Sequence, residues 1–396
     1  MGYKRKIRKA LAMETIFFIA LALLALYESR QKTESASVGG LADYEIENNI
    51  WAEIETEGTE TEGATGEAVK KDFIKWVDFQ VESEALKAAM AIDIETYGSE
   101  LHIPWTSLLA YEATKTGGSI KAGQVQDIKL AAEKLKNGEL SLEEMESRQY
   151  YSYYKEVYEA VLGGMVGEYQ KEVVTETPQT TGSSVEAESA WETTYGLKAF
   201  HPIARGFSFS DYDDFGVSRT YGYKRRHLGH DMMGLVGTPI IAVESGYVEA
   251  LGWNQYGGWR VGIRSFDKKR YYYYAHLRQN YPFAEGLAEG DIVTAGDVIG
   301  YMGHTGYSKE ENVNNINETH LHFGLQLIFD ESQKEGNTEI WIDCYQLVRF
   351  LYQNRQEAAK VGDTKEWKRI TEIKDPAAEE YKKENAKESE KGGTKP

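Results

Sequence analysis

The run His320-Leu321-His322-Phe323 constrains this chain more than any other feature, because polar and apolar residues alternate in it with the period of a β-strand. A strand sends successive side chains to opposite faces, so His320 and His322 share one face while Leu321 and Phe323 point to the other. Burying that apolar face requires a sheet packed on a core, and the same burial pre-positions the two imidazoles. Six of the eight histidines lie between His227 and His322, and three short motifs, HLGHD, YAHL and HLHF, carry most of them.

A second cluster member comes from KRRHLGHDMMG. His227 and Asp231 stand four apart there, with Gly229 between them and Gly234 just beyond. A turn that lets both side chains converge fits this better than a regular helix. The single cysteine, Cys344, allows neither an internal disulfide nor a thiolate cluster, so any metal site must use imidazole and carboxylate. Two histidines and one carboxylate form an N/O set suited to zinc, and three protein ligands leave the fourth tetrahedral position for water. One histidine of the 320/322 pair can bind metal while the other acts beside it. Bound zinc would lower the pKa of that water and polarise a carbonyl. Proton handling is then the remaining requirement, for which His276 and His320 are suitable.

The rest of the chain reads as an α+β multidomain protein. Lys4, Arg5, Lys6, Arg8 and Lys9 precede an apolar stretch from Ala10 to Tyr27 broken only by Glu14 and Thr15. The uninterrupted part is short of the roughly 20 residues of a membrane span and nearer a signal-peptide core. We read residues 1–30 as a basic cytoplasmic flank and an uncleaved N-terminal membrane helix, a cleaved secreted form being the alternative; either way the remainder is exported. Residues 31–70, rich in Glu, Thr, Ser and Gly, read as a disordered acidic linker. Residues 71–172 carry apolar side chains at helical spacing and predict a small all-helical domain, a candidate surface for a protein partner. Residues 173–193 predict an exposed linker, 194–353 a mainly antiparallel β domain closing on the amphipathic helix CYQLVRFLYQ, and 354–396 a charged, solvated tail. A net charge of −18 excludes nucleic acid as a natural partner.

The order H-x-x-x-D, Y-x-H, GDVIGYMGHTGYS and H-x-H-F resembles the lysostaphin and LytM type of zinc endopeptidase, metallopeptidase family 23, across about Lys198 to Phe329. That resemblance implies zinc ligands His227, Asp231 and His322, with His320 and His276 assisting catalysis. It also implies a groove on an open antiparallel sheet and, as substrate, the peptides of bacterial peptidoglycan. Two departures stand out. The segment YSKEENVNNINET intervenes where the family usually has a short turn, and predicts an added groove wall; Gly324 follows HLHF where many members carry Glu. A rival from another class is a catalytically silent or partner-activated scaffold in division, sporulation or wall assembly, against which the intact five-residue set argues.

The remaining chemistry-bearing side chains read as structural. His102 and His201 are expected to be hydrogen-bonded supports, His230 and His304 bystanders, and Cys344 a small core hydrophobe. Tyr271–Tyr274 read as a strand whose rings alternate between core and surface.

Overall fold

A computed structural model of the chain describes residues 73–77, 79–176, 187–220, 224–334 and 338–392. The membrane helix expected over 1–30 and the linker expected over 31–70 lie outside these residues. Among the described residues no helix is long and apolar enough to cross a membrane. The described residues of 73–392 form one compact unit.

Helical spacing does produce helices in the first part. A short parallel pair, β1 (Gln80–Val81) and β2 (Ser119–Ile120), brackets α1 (Ser83–Thr96) and α2 (Trp105–Thr116). After them come α3 (Val125–Lys136), α4 (Leu142–Glu146) and α5 (Tyr151–Leu162). In α3 the buried residues Ile128, Ala131, Ala132 and Leu135 recur at three and four, which makes one apolar stripe. α4 opens on a reciprocal capping box between Ser141 and Glu144.

Two expectations about the connecting segments need correction. The segment predicted as a linker over 173–193 carries a long hairpin, in which β3 (Val166–Glu176) pairs antiparallel with β4 (Ala187–Leu197); residues 177–186 lie outside the description. Thr, Val, Tyr and Trp suit strands even where one face is wet, and the polar face masks the signal in composition. The tail predicted over 354–396 also folds in part: it forms three short strands and a helix, described below, and buries Ile373 and Ala378.

The β region begins with β5 (Ser210–Asp211), a ribbon of β6 (Ser218–Thr220) and β7 (Lys224–Arg226), β8 (His230–Met233) and β9 (Pro239–Ile241). The long strands β10 (Gly246–Asn254), β11 (Gly258–Ser265) and β12 (Arg270–Ala275) follow, then β13 (Ile292–Val293), β14 (Val298–Tyr301), β15 (His320–Leu327) and β16 (Ile340–Ile342). α6 (Tyr345–Leu351) leads to β17 (Ala358–Lys360), β18 (Trp367–Arg369), β19 (Ile373–Lys374) and α7 (Pro376–Gly392). β19 pairs with β3, which ties the end of the chain to the hairpin.

Eight strands form the main sheet in the order β13-β10-β11-β12-β15-β8-β5, with β16 joining β15 beyond the end of β8. Every pairing in it is antiparallel. One face carries Leu321, Phe323, Leu325 and Leu327 from β15 with Tyr272 and Tyr274 from β12, all fully buried. That face and the helices share a single core: Trp105 of α2 packs on Phe350 of α6, ring centroids 5.8 Å apart.

One buried polar knot joins the two layers. Arg270 donates from Nε and Nη2 to the Glu244 carboxylate at 2.7 and 3.0 Å, and from Nη1 to the carbonyl of Ala160 at the end of α5 at 2.9 Å. Tyr272 adds a hydroxyl donor to Glu244 at 2.6 Å. A guanidinium at a helix C-terminus meets both the free carbonyls and the negative end of the dipole. Replacing Arg270 with Met strands the Glu244 charge and should cost about 3 to 5 kcal/mol in urea unfolding; a loss under about 1 kcal/mol would mean that water reaches the knot.

Acid should weaken the fold through His201. Burial, with the Arg355 charge adding to it, pushes its pKa down to about 3. The unfolded imidazole titrates near 6.5, so the unfolded chain binds more protons below that pH, and stability is lost as pH falls from about 6.5 toward 3. Between pH 7 and pH 5 this one group should remove about 2 kcal/mol. His201→Asn should lose that share of the pH dependence of the denaturation midpoint, whatever its stability at pH 7.

Candidate metal centre and active site

The alternation in β15 does what its spacing predicts. His320 and His322 share the face opposite Leu321 and Phe323, and β8 lies alongside with Asp231 directly across from His322. The turn before β8 brings in His227. Gly229 is required there by close approach: a Cβ on it would sit 2.5 Å from Cε1 of His322 and 2.8 Å from the Phe323 carbonyl. The segment is accordingly a turn.

Three ligand-type atoms converge. Oδ1 of Asp231 lies 3.0 Å from Nε2 of His227 and 2.8 Å from Nδ1 of His322, and the two nitrogens are 3.0 Å apart. His227 faces two acceptors on Asp214 with its other nitrogen, the backbone carbonyl at 3.2 Å and a carboxylate oxygen at 3.1 Å, so Nδ1 carries the proton and Nε2 presents a lone pair. A lone pair held against a carboxylate oxygen and a second imidazole nitrogen is repulsive unless a positive charge sits among them. A proton on Nε2 satisfies part of this; a cation bound by all three satisfies the whole, and the donor set is borderline N/O. His227, Asp231 and His322 therefore fit a divalent cation.

Electrostatics point the same way. Burial pushes the Asp231 carboxyl up, but its interactions with His227, His322 and His320 outweigh this and hold the group well below the usual carboxylate range. Burial lowers the His322 pKa, opposed by Asp231, and keeps the ring neutral as a ligand must be.

His276 and His320 stand beside this triangle, their ring centroids 4.7 Å apart. His276 presents Nδ1 to the Thr305 carbonyl at 2.9 Å, and His320 presents Nδ1 to the Glu318 carbonyl at 2.8 Å. Each ring thus commits one N–H to the backbone and keeps Nε2 bare. The His276 backbone sits at φ 62°, costly for a non-glycine residue. Its N–H donates to Gly257 and its carbonyl accepts from Gly303, which holds that conformation in place. Burial, with His320 and His322 adding to it, drives the His276 pKa well below the ordinary value.

The other histidines stay outside the cluster: His102 bonds to Asp93, His230 to Asp211 and His304 to the Ile316 carbonyl, and His201 is buried against Phe209. Cys344 is fully buried. Tyr272 and Tyr274 enter the core, while Tyr271 and Tyr273 face a groove of about 800 Å³ that reaches His322. The two departures noted above both shape this region. In the added segment Tyr307 places its ring 5.9 Å from that of His276, and Asn312 accepts from Trp259 Nε1 at 2.9 Å. Gly324 leaves room for the Trp341 ring, which a Cβ would approach to 2.7 Å.

Arg219 and Asp214 are support residues that motif reading misses. Arg219 donates to Oδ2 of Asp231 at 2.7 Å and pairs with Asp214, whose own backbone and side chain hold His227. No local pattern marks them, because β6 and the Asp214 turn reach the centre only through folding.

A buried His–Asp–His cluster opening onto a groove of an antiparallel sheet is the candidate site. Residues 225–335 match peptidase family M23, and the chain carries a domain of that family. It is 36% identical over 148 residues to the L-Ala–D-Glu endopeptidase of Bacillus subtilis, covering 37% of this chain and 41% of the relative. It is also 36% identical over 98 residues to lysostaphin of Staphylococcus simulans, covering 24% of this chain and 17% of the relative. A LytM crystal structure from Ruminococcus gnavus aligns with a TM-score of 0.43 at 23% identity, over 70% of this chain and 89% of that one. The chain spans less than half the length of the curated relatives it matches.

Removing the guanidinium that orients Asp231, as Arg219→Gln, should weaken divalent-cation affinity about 10- to 100-fold in a chelator competition. Unchanged affinity would mean that β8 alone sets the carboxylate.

Proposed function

We propose that this chain is a zinc endopeptidase that hydrolyses peptide bonds of bacterial peptidoglycan, with His227, Asp231 and His322 as the metal ligands. The observation that carries the reading is the convergence of those three ligand atoms beside two imidazoles with bare Nε2 atoms. Zinc held there would supply a Lewis acid for the scissile carbonyl and make water acidic enough to attack near neutral pH. Membership of the M23 family and the names of the relatives, an L-Ala–D-Glu endopeptidase and lysostaphin, support the choice of bond and substrate.

The protein's own groups handle protons and charge. Nε2 of His320, 3.8 Å from Oδ2 of Asp231, is placed to accept a proton from the attacking water and return it to the leaving amine. His276, kept neutral by burial and with its Nδ1–H held by the Thr305 carbonyl, presents a bare Nε2 suited to accept and relay that proton. Arg219 fixes Asp231 so that the ligand atom faces inward. We place the enzyme outside the cytoplasm, held by residues 1–30, because wall peptides lie there and the basic flank favours that orientation.

Zinc-loaded full chain incubated with purified sacculi should release fragments with new peptide ends, identified by mass spectrometry. His320→Ala should retain zinc yet lose about 10²- to 10⁴-fold in rate, and Asp231→Ala should lose both. Intact sacculi and intact soluble wall peptides after exposure to zinc-loaded protein would refute the assignment.

A further inference from the structure

The ribbon of β6 and β7 sets Arg219 directly opposite Arg225, so two guanidinium side chains share one face. Like charges in that position repel. Arg219 is neutralised by Asp231 and Asp214. Arg225 has no ion pair among the described residues; its guanidinium lies 4.8 Å over the Tyr307 ring, and its Nε is buried without a hydrogen-bond partner. Across the groove floor, on β11, Nη1 of Arg260 is likewise buried and unpartnered. Both arginines line the groove with Tyr273, whose ring stands 6.0 Å from that of His322.

Three carboxylates also line this groove, and Oε2 of Glu249 is itself buried without a hydrogen-bond partner. Glu249 accepts from Lys334 at 2.9 Å and Arg264 at 3.4 Å, Glu289 from the Leu251 N–H at 2.8 Å, and Glu339 from Trp341 Nε1 at 2.7 Å. Arg225 and Arg260 thus each keep a buried N–H donor without a partner in a groove that reaches His322. A buried N–H donor without a partner is costly, and an arginine fork fits a carboxylate in two-point contact.

We propose that Arg260 and Arg225 form a subsite that grips a free carboxylate of the peptide close to the scissile bond, so that the enzyme selects acidic wall peptides over amidated or glycine-only ones. This rests on the peptidase reading above, and it adds which side chains choose the substrate. The amidated form of the same peptide keeps its shape and loses the charge, which isolates the contact.

The test uses zinc-loaded full chain with L-Ala-D-Glu-containing stem peptides whose glutamate carboxylate is free or converted to the carboxamide. Unmodified protein should favour the free acid by about tenfold in kcat/KM, the scale of one charge-assisted hydrogen bond. Arg260→Gln, and separately Arg225→Gln, should lower cleavage of the free acid about tenfold while the carboxamide, which also reports correct folding, changes less than about twofold. Equal cleavage of both peptides by the unmodified protein, or a preference that survives both substitutions, overturns the proposal. Calorimetric binding of the two peptides to His320→Ala, with and without Arg260→Gln, separates the two readings. If neither peptide is cleaved yet the free acid binds more tightly and Arg260→Gln abolishes that difference, the subsite stands and the peptidase reading falls. If neither is cleaved and the two bind alike, both fall.

Discussion

Strand β15 is flanked on both sides, by β12 over His322–Leu327 and by β8 and then β16 on the other edge, so its register cannot slip without turning Leu321, Phe323, Leu325 and Leu327 out of the core. Everything at the candidate metal centre depends on that. The apolar half of the strand holds His320 and His322 on the open face, the pairing with β8 delivers Asp231 opposite His322, and the pairing with β12 sets Tyr273 and Ala275 beside them. The site is precise because its positions are those of a central strand in a packed sheet, where a shift of one residue would exchange core for solvent.

Legibility in the sequence followed the same physics. Period-two alternation in HLHF and in Tyr271–Tyr274 is local, so the faces of β15 and β12 could be read directly. The turn around Gly229 was also readable, though the need for glycine there comes from the His322 ring across the sheet. Arg219 and Asp214 were not legible, since their role depends on a ribbon folding back over β8. The β3–β4 hairpin was missed for another reason. It is largely exposed, and its Glu, Thr and Ser content resembles a linker when read as composition. The final strands were hidden among charged neighbours, with Ile373 and a half-buried Trp367 too sparse to suggest folding.

The two departures from the family pattern form one feature in space. Gly324 leaves room for Trp341, which stands 6.1 Å from Tyr273, and the segment Tyr307–Thr319 sets Tyr307 by His276 and under Arg225. Aromatic rings thus stand beside His322 and beside His276. Aromatic walls lower the local dielectric, and charge on the groove's arginines acts more strongly there than at an open surface.

Arg270 has a different kind of consequence. Its guanidinium needs the carbonyls of α5 as well as Glu244, so the sheet that carries the chemistry is chemically incomplete without the helices beneath it. Such a protein cannot be assembled from interchangeable parts. A lineage that exchanged the helical layer for another would keep the Arg270–Glu244 pair but inherit a buried Nη1 donor that the new layer would have to satisfy.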